Sequence, residues 1–520
     1  MVTPFIPPEA PPPYIHHISA PRYGLTPLVV NSHGYHYIVT GNTLLPDQEI
    51  RHLLAGAKTP EDAVNAINLA YHKAGYFLTA QRASVKDKEV SIQVIQGQIT
   101  QENIAPGIAW FFMGLRRGTG LQSNDVIYRS VLANAYTQRN GQQIQMGFTP
   151  STNPAGSTLE VHTSPIPDYS PLTGNIFFGN YGSRYSSRYL AGGSLSYNPG
   201  WGINININAA QGLPGLTAAS SGSQYTQGGL GVSSITPFGI YGFNAQWTHY
   251  RIGKAAYPLN PTGNIFTWGL TGSQLVYAND HSRWSVSEAY THVGNDVRVY
   301  QDVVPGGYPL TVQHYNYYSV GTQWNRSYNF FGKVGSVNTG FTYNQGISGS
   351  HGTLFNNAPG YPAARFHYFD ANISWNQSLP LGISAIFNAS GQGAFNTLPS
   401  QQQWILGGFG NLSAYYPGVL AGDSGYSARF QLQSPAWQYK GFKLSGNLFA
   451  ELGATTLTYL APHTNPWQSL SDVGLGVNLT SPWGTSLTAM SAIPTGYNNV
   501  SKAIRRSSRV DAYFVLSQNF

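Results

Sequence analysis

The 520-residue chain has no cysteine, so neither a disulfide scaffold nor a thiolate metal centre is open to it. Charge is nearly as scarce. Only 9% of residues are Asp, Glu, Lys or Arg, against about 25% in an ordinary soluble protein. Hydrophobic residues do not fill the gap, at 41%, and mean hydropathy is −0.21. No run approaches the roughly 18 apolar residues of a membrane helix, and the longest, Ile108 to Leu115, is broken by Gly114. The net charge of +7 is scattered, with no dense basic stripe, which argues against nucleic acid as a partner. No charged n-region precedes an apolar stretch at the start, so no signal peptide is expected there. Residues 1–32, rich in proline (Pro7, Pro8, Pro11, Pro12, Pro13), read as an extended linker.

Low charge without high hydrophobicity is what a barrel with lipid outside and water inside requires, because apolar and uncharged polar residues then alternate. From about Leu172 onward sixteen segments alternate with period two, each near the 9–11 residues of a tilted membrane strand. In Ile203–Asn208 every Ile faces one way and every Asn the other. Tyr426, Ala428, Phe430 and Leu432 oppose Ser427, Arg429, Gln431 and Gln433 in the same manner, and Val473, Leu475, Val477 and Leu479 oppose Gly474, Gly476 and Asn478. Connections alternate too. Short ones are expected at Asn198–Trp201, Thr236–Gly239, Ala278–His281, Ser327–Phe330, Ser378–Gly382, Ser434–Gly441 and Ser481–Gly484, with mostly long ones between them. Short turns on one side and long loops on the other are the asymmetry of outer-membrane barrels. The chain ends with Val510, Ala512, Phe514, Leu516, Gln518 and Phe520 on one face, the form of a final strand.

Ahead of the barrel, residues 33–97 read β-α-α-β-β. Pro46-Asp47-Gln48-Glu49 opens a helix whose apolar face is Ile50, Leu53 and Leu54. Thr59-Pro60-Glu61-Asp62 caps a second helix, with Ala63, Ile67, Ala70, Tyr71 and Ala74 inward. Strands are expected at Phe77–Ala83 and Glu89–Ile95, around a turn at Lys86-Asp87-Lys88. With Gly41, Tyr71, Gly75-Tyr76 and Ile95-Gln96-Gly97, this order resembles a polypeptide-transport-associated (POTRA) domain. Residues 98–167 resemble a second, degenerate copy with a helix capped at Ser123 and a strand at Leu159–Val161; a long linker is the alternative. The expected fold is thus an all-β membrane protein with small α+β periplasmic domains: a 16-stranded antiparallel outer-membrane β-barrel over 168–520, preceded by two POTRA-like domains.

Two such domains before sixteen strands resemble the two-partner secretion transporters, the hemolysin-activator and filamentous-haemagglutinin-transporter family. Asn180-Tyr181-Gly182-Ser183 is similar to that family's motif after the first strand. Leu406-Gly407-Gly408 through Gly422-Asp423-Ser424-Gly425-Tyr426 is similar to its sixth extracellular loop, and Phe449-Ala450-Glu451-Leu452-Gly453 to its Phe-x-Asp-x-Gly strand. In the family a Val-Arg-Gly-Tyr loop tip sends its Arg to that Asp. Here the tip is Leu412-Ser413-Ala414-Tyr415 and the Asp is Glu451. Parity turns Arg429 and Glu451 inward on neighbouring strands, so a substitute ion pair is expected, with two solvated lumen charges as the alternative. No family-type plug helix is legible in residues 1–30.

The resemblance implies export of a large, unfolded, secreted β-helical partner, captured at a POTRA sheet edge (Tyr76, Phe77, Val90, Ile92) by strand addition. It implies a monomer in lipid and lipopolysaccharide, with Phe514, Leu516 and Phe520 read by the barrel-assembly machinery. A barrel-assembly insertase and a general diffusion pore are the rival readings. No enzyme, cofactor or metal is expected. Gly422-Asp423-Ser424-Gly425 mimics a serine-protease motif without its partners, and His16-His17, His33 and His36 lack neighbouring ligands. Lys502, Arg505, Arg506 and Arg509 suit lipopolysaccharide phosphates or a solvated loop.

Overall fold

A computed structural model describes residues 27–115, 117–152, 155–217, 221–253, 256–350, 360–459 and 467–520. Most of the proline-rich stretch, with His16-His17, lies outside the described residues. The chain divides into an N-terminal unit and a barrel.

The first module of the N-terminal unit is a four-stranded sheet under two helices, Asp47–Gly56 and Pro60–Lys73. The sheet starts earlier than the sequence suggested, because Leu28–Ser32 pairs with Tyr35–Thr40 around His33-Gly34. Strand Tyr35–Thr40 then runs parallel to Glu89–Gln96, whose other neighbour is Thr79–Lys86. Ile50, Leu54, Ala63, Ile67 and Tyr71 are fully buried against Tyr37, Val90 and Ile92. Thr59 and Asp62 exchange hydrogen bonds in a capping box. Gly41 sits at φ +78° with the Val94 carbonyl where a side chain would be, so only glycine fits there. Beside it the Tyr71 hydroxyl donates to Asn42 Oδ1 at 2.5 Å, and burial pushes its pKa up to about 12.

The second module, Gln98–Pro165, is a folded α/β unit and not a linker. Gln98–Ile104 runs parallel to Gly156–Pro165, which pairs antiparallel with Gln142–Pro150. A 3₁₀ turn, Pro106–Phe112, stands where the first module has its first helix, and the long helix is Ser123–Arg139. Ser123 is the first helical residue and makes no cap; Gln122 precedes it and makes no side-chain capping bond. Val126, Ile127 and Leu132 point inward.

Sixteen antiparallel strands close the barrel, from Leu172–Gly179 to Tyr513–Asn519, counting Ser424–Gln433 and Trp437–Tyr439 as one interrupted strand. Several strands outrun a membrane crossing: Ser282–Val299 has 18 residues and Tyr308–Phe330 has 23. Consequently only residues 300–307 separate these two strands, and the turn expected at Ser327–Phe330 lies at Phe331-Gly332. Four short turns are X-Gly pairs with both φ positive: Trp201-Gly202, Phe331-Gly332, Leu381-Gly382 and Lys440-Gly441. That is type I′ geometry, which ordinarily selects Asn-Gly. Three of these carry a large apolar residue instead, and Trp201, Phe331 and Leu381 are all at least 80% exposed, as a boundary belt would require.

The closing seam is short, five register pairs between Val515–Asn519 and Asn175–Gly179. Beyond it, Asn180 Nδ2 donates to the Ala512 carbonyl at 3.0 Å and its Oδ1 accepts from the Phe514 amide at 2.7 Å. The last strand begins at Tyr513, so Val510 is not on the lipid face; it is buried inside, in the cluster beneath the sixth loop. Leu516 and Phe520 are exposed on the outer wall, and Phe514 packs on Phe178.

Candidate functional site

The sixth long connection, 395–423, folds into the barrel as a hairpin of Trp404–Leu406 and Leu420–Gly422. Its tip is built for tight turning: Gly407, Gly408, Gly410 and Leu412 all have positive φ. Leu406, Leu412, Ala414 and Tyr415 are at most 1% exposed and pack with Phe449, Leu470, Met490, Val510 and Tyr513. These partners come from the inward parity of three consecutive strands, from the first residue of the last strand and from the chain just before it. Gly453 lacks the side chain that would collide with Leu406, and so lets the hairpin lie against the wall.

At the tip two wall carboxylates accept from the loop backbone. The Ser413 amide donates to Glu451 Oε2 at 2.6 Å and the Ala414 amide to Asp472 Oδ2 at 2.8 Å. Glu451 and Asp472 are directly paired across Phe442–Thr456 and Gln468–Thr480, and are 3% and 1% exposed. Their counter-ion comes from the wall: Arg429 Nη1 lies 2.5 Å from Glu451 Oε1. Side-chain exposures of 13% and 1% exclude the alternative of two solvated charges. The guanidinium rests 4.0 Å from the Phe449 ring centroid and is braced by Gln431 Oε1, at 3.0 and 3.2 Å from its Nη2 and Nε. Gly474 makes room for the Phe449 ring. The cation that the family resemblance places on the loop is thus supplied from a strand, and Ser413 Oγ turns to the Gly410 amide and Met490 Sδ.

A backbone pairing completes the tip. The Tyr416 amide donates to the Ser508 carbonyl at 2.8 Å, the Val510 amide to the Ala414 carbonyl at 2.9 Å, and the Tyr513 hydroxyl to the Tyr415 carbonyl at 2.8 Å. At the hairpin base Asp423, fully buried, accepts from the amides of Leu398 and Thr458 and from Gln403 Nε2, at 3.0, 2.9 and 3.3 Å. A carboxylate spent on three such bonds is a clasp, and the hydroxyl oxygen of its neighbour Ser424 accepts from the Ala394 amide, so among the described residues no hydrolytic arrangement surrounds the Gly-Asp-Ser-Gly sequence.

Sequence reasoning missed Asp472, the seat that Phe449 gives the Arg429 guanidinium and the pairing of the 508–510 segment with the tip. Asp472 was findable, since it is an acid at an inward position, but its contact with Glu451 depends on register. The edge residues need correction. Val90 and Ile92 are fully buried on the central strand Glu89–Gln96, because strand order, not hydrophobic pattern, decides which strand is outermost. Tyr76 packs on the first module's core, and the Phe77 ring meets Phe148 of the second at 5.1 Å. Among the described residues the open edges lie instead at Leu28–Ser32 and Thr79–Lys86. Lys502, Arg505 and Arg506 lie on a short helix, Lys502–Ser507, followed by Arg509. Among the described residues no His, Asp and Glu gather as a metal group, His33 and His36 included.

The family model for haemolysin secretion/activation proteins ShlB/FhaC/HecB matches residues 156–479, more than half of the chain. The outer membrane transporter CdiB of Dickeya dadantii (strain 3937) is 22% identical over 419 residues, covering 76% of this chain and 71% of the relative. The heme/hemopexin transporter protein HuxB of Haemophilus influenzae is 21% identical over 357 residues, 65% of this chain but only 59% of HuxB. Among solved structures, CdiB from Escherichia coli superposes with a TM-score of 0.73 at 17% identity, covering 98% of this chain and 94% of that one. CdiB from Acinetobacter baumannii gives 0.68 at 13% identity over the same shares. These structural likenesses bear on the fold, and the family model bears on descent. The chain belongs to the haemolysin secretion/activation family ShlB/FhaC/HecB, the two-partner secretion transporters of the outer membrane.

Proposed function

We propose that this chain exports one large secreted partner, held unfolded by the two N-terminal modules in the periplasm and passed through the barrel lumen. The observation that carries the reading is the lumen itself: it is crossed by a loop held through discrete polar contacts to Glu451 and Asp472, which supports reading it as a displaceable plug. A general diffusion pore has no need of a displaceable plug or of α/β modules. The exposed edge Thr79–Lys86, whose last five residues are all exposed, supports capture by strand addition. Edge capture needs no nucleotide, and directionality would come from folding of the partner outside the cell.

The outer wall at Phe514, Leu516 and Phe520 would be read by the assembly machinery. Lys502, Arg506 and Arg509, all exposed at the long-loop end, suit lipopolysaccharide phosphates. The protein would act as a monomer. The test is co-expression with a large secreted β-helical protein encoded beside it. Deleting residues 28–165 should abolish surface delivery while the barrel still reaches the outer membrane in folded, heat-modifiable form. Delivery that survives the deletion would refute capture by these modules and favour a simple pore.

A further inference from the structure

The contacts at the loop tip account for one side of the barrel only. Before the hairpin, residues 397–403 cross to the wall formed by Ser282–Val299, Tyr308–Phe330 and His367–Ser378. There Asn295 Nδ2 donates to Ser400 Oγ at 3.0 Å, and Ser400 Oγ donates to Gln313 Oε1 at 3.3 Å. Gln402 uses both ends of its amide: Nε2 donates to the Tyr315 hydroxyl at 3.0 Å and Oε1 accepts from the Tyr368 hydroxyl at 2.6 Å. Leu398, fully buried, enters an apolar cluster of Val293, Tyr315, Phe366 and Tyr368. Asn295 and Gln313 are 1% and 2% exposed, so these are interior contacts and not a wet rim. Gln392 Nε2 then bonds the carbonyls of both Gln402 and Asp423, at 2.8 Å each.

We infer that residues 397–403 form a second anchor of the plug, so that the sixth loop is a crossbar fixed at both walls, with Asn295, Gln313, Tyr315 and Tyr368 as its positioning residues. This inference rests on the export reading only in calling the loop a plug. Apart from Asn295 Oδ1, which has no partner among the described residues, these buried amides and hydroxyls are hydrogen-bonded and hold one geometry, because separating them without water leaves unsatisfied groups on both sides. Asp423, at the end of the second limb, ties the first limb to the neighbouring connection, since it takes the Leu398 amide and the Gln403 side chain from the first limb and the Thr458 amide from the chain after Phe442–Thr456. A crossbar with two ends has a consequence that a single latch lacks. Freeing either end leaves the loop tethered across the lumen by the other, and only freeing both clears it.

The test measures single-channel opening in planar bilayers, and influx of a large chromogenic solute in cells, for the full-length chain. Four forms are compared: unaltered, Arg429→Gln at the tip, Ser400→Ala with Gln402→Ala at the second anchor, and all three substitutions together. Each partial variant should raise opening by about tenfold or less, because the other anchor still holds the loop across the lumen, and the combined form should exceed the product of the two. Heat-modifiable migration confirms that each barrel is folded. As an independent arm, Asn295→Cys with Ser400→Cys in the Arg429→Gln background should lower influx on oxidation and restore it on reduction. A combined form no leakier than Arg429→Gln alone would overturn the second anchor, as would a formed disulfide without effect on influx. Failure of the export reading would show differently, as lost partner delivery with these opening ratios unchanged.

Discussion

Arg429→Gln removes the only cation in contact with the paired wall carboxylates among the described residues, while keeping a side chain that can fill part of its volume. In the intact protein Nη1 stands 2.5 Å from Glu451 Oε1, with exposures of 13% and 1%, so solvent screening is slight. Breaking one partner of such a pair typically costs about 3–5 kcal/mol, because a buried charge is left uncompensated. Here that cost falls on the state with the loop in place. Once the tip departs, water reaches Glu451 and Asp472 and the cost is relieved. A shift of ~3 kcal/mol corresponds to roughly a hundredfold change in the ratio of seated to displaced tip, while the anchor at residues 397–403 keeps the loop across the lumen. The thiol introduced by Ser413→Cys reports it: residue 413 is 1% exposed, and substitution leaves its backbone amide free to bond Glu451. A charged thiol reagent should modify this position about a hundredfold faster when Arg429→Gln is added. Ser413→Arg with Arg429→Gln, which returns the cation to the loop, should bring channel opening back towards that of the unaltered chain. Unchanged thiol reactivity on loss of Arg429 would refute the reasoning, since Glu451 and Asp472 would then be held without a counter-ion.

Gly474→Val should act on the same pair indirectly, because its side chain meets the Phe449 ring on which the Arg429 guanidinium rests as well as the Ser491 carbonyl of the next strand; in barrels that heat-modifiable migration shows to be folded, channel opening should rise although no charged group is altered. On the outer wall Glu288 is exposed to lipid, with Oε1 2.6 Å from Gln274 Nε2, so Glu288→Leu should stabilise the barrel by up to ~2 kcal/mol in denaturant titrations. In the first module, Tyr71 has its pKa raised to about 12 by burial, so its contribution to stability is full below about pH 10 and is lost as pH climbs through 12. Tyr71→Phe should flatten that alkaline loss in thermal melts of the full chain, at a cost of about 1 kcal/mol at neutral pH from the missing bond to Asn42.

The barrel was legible because lipid on one side and water on the other write a two-residue period into every crossing, as in Val473 to Leu479. Strand length was not, because above the lipid the pressure for alternation ends while pairing continues, as in Tyr308–Phe330. Turns were misplaced where Phe331-Gly332 took the job of Asn-Gly, an apolar residue being favoured at the boundary. In the first module both helices were readable from their caps and faces, whereas the open edge was not. Val90 and Ile92 look like any half-buried strand until its two neighbours are known. The Arg429–Glu451 pair could be foreseen from parity and adjacency alone. Asp472 needed register, and the bonds of Ser400 and Gln402 join residues some 87 to 105 positions from Gln313, Tyr315 and Asn295, which no local pattern records.

The central claim, that a polypeptide passes through this lumen past the displaced crossbar, is tested most directly by photo-crosslinking during stalled export. A crosslinker at Asn478, inward on Gln468–Thr480, should capture the secreted partner, while one at Leu475, 56% exposed on the outer wall of the same strand, should capture none. Capture from Leu475, or none from Asn478 while the partner is in transit, would contradict it.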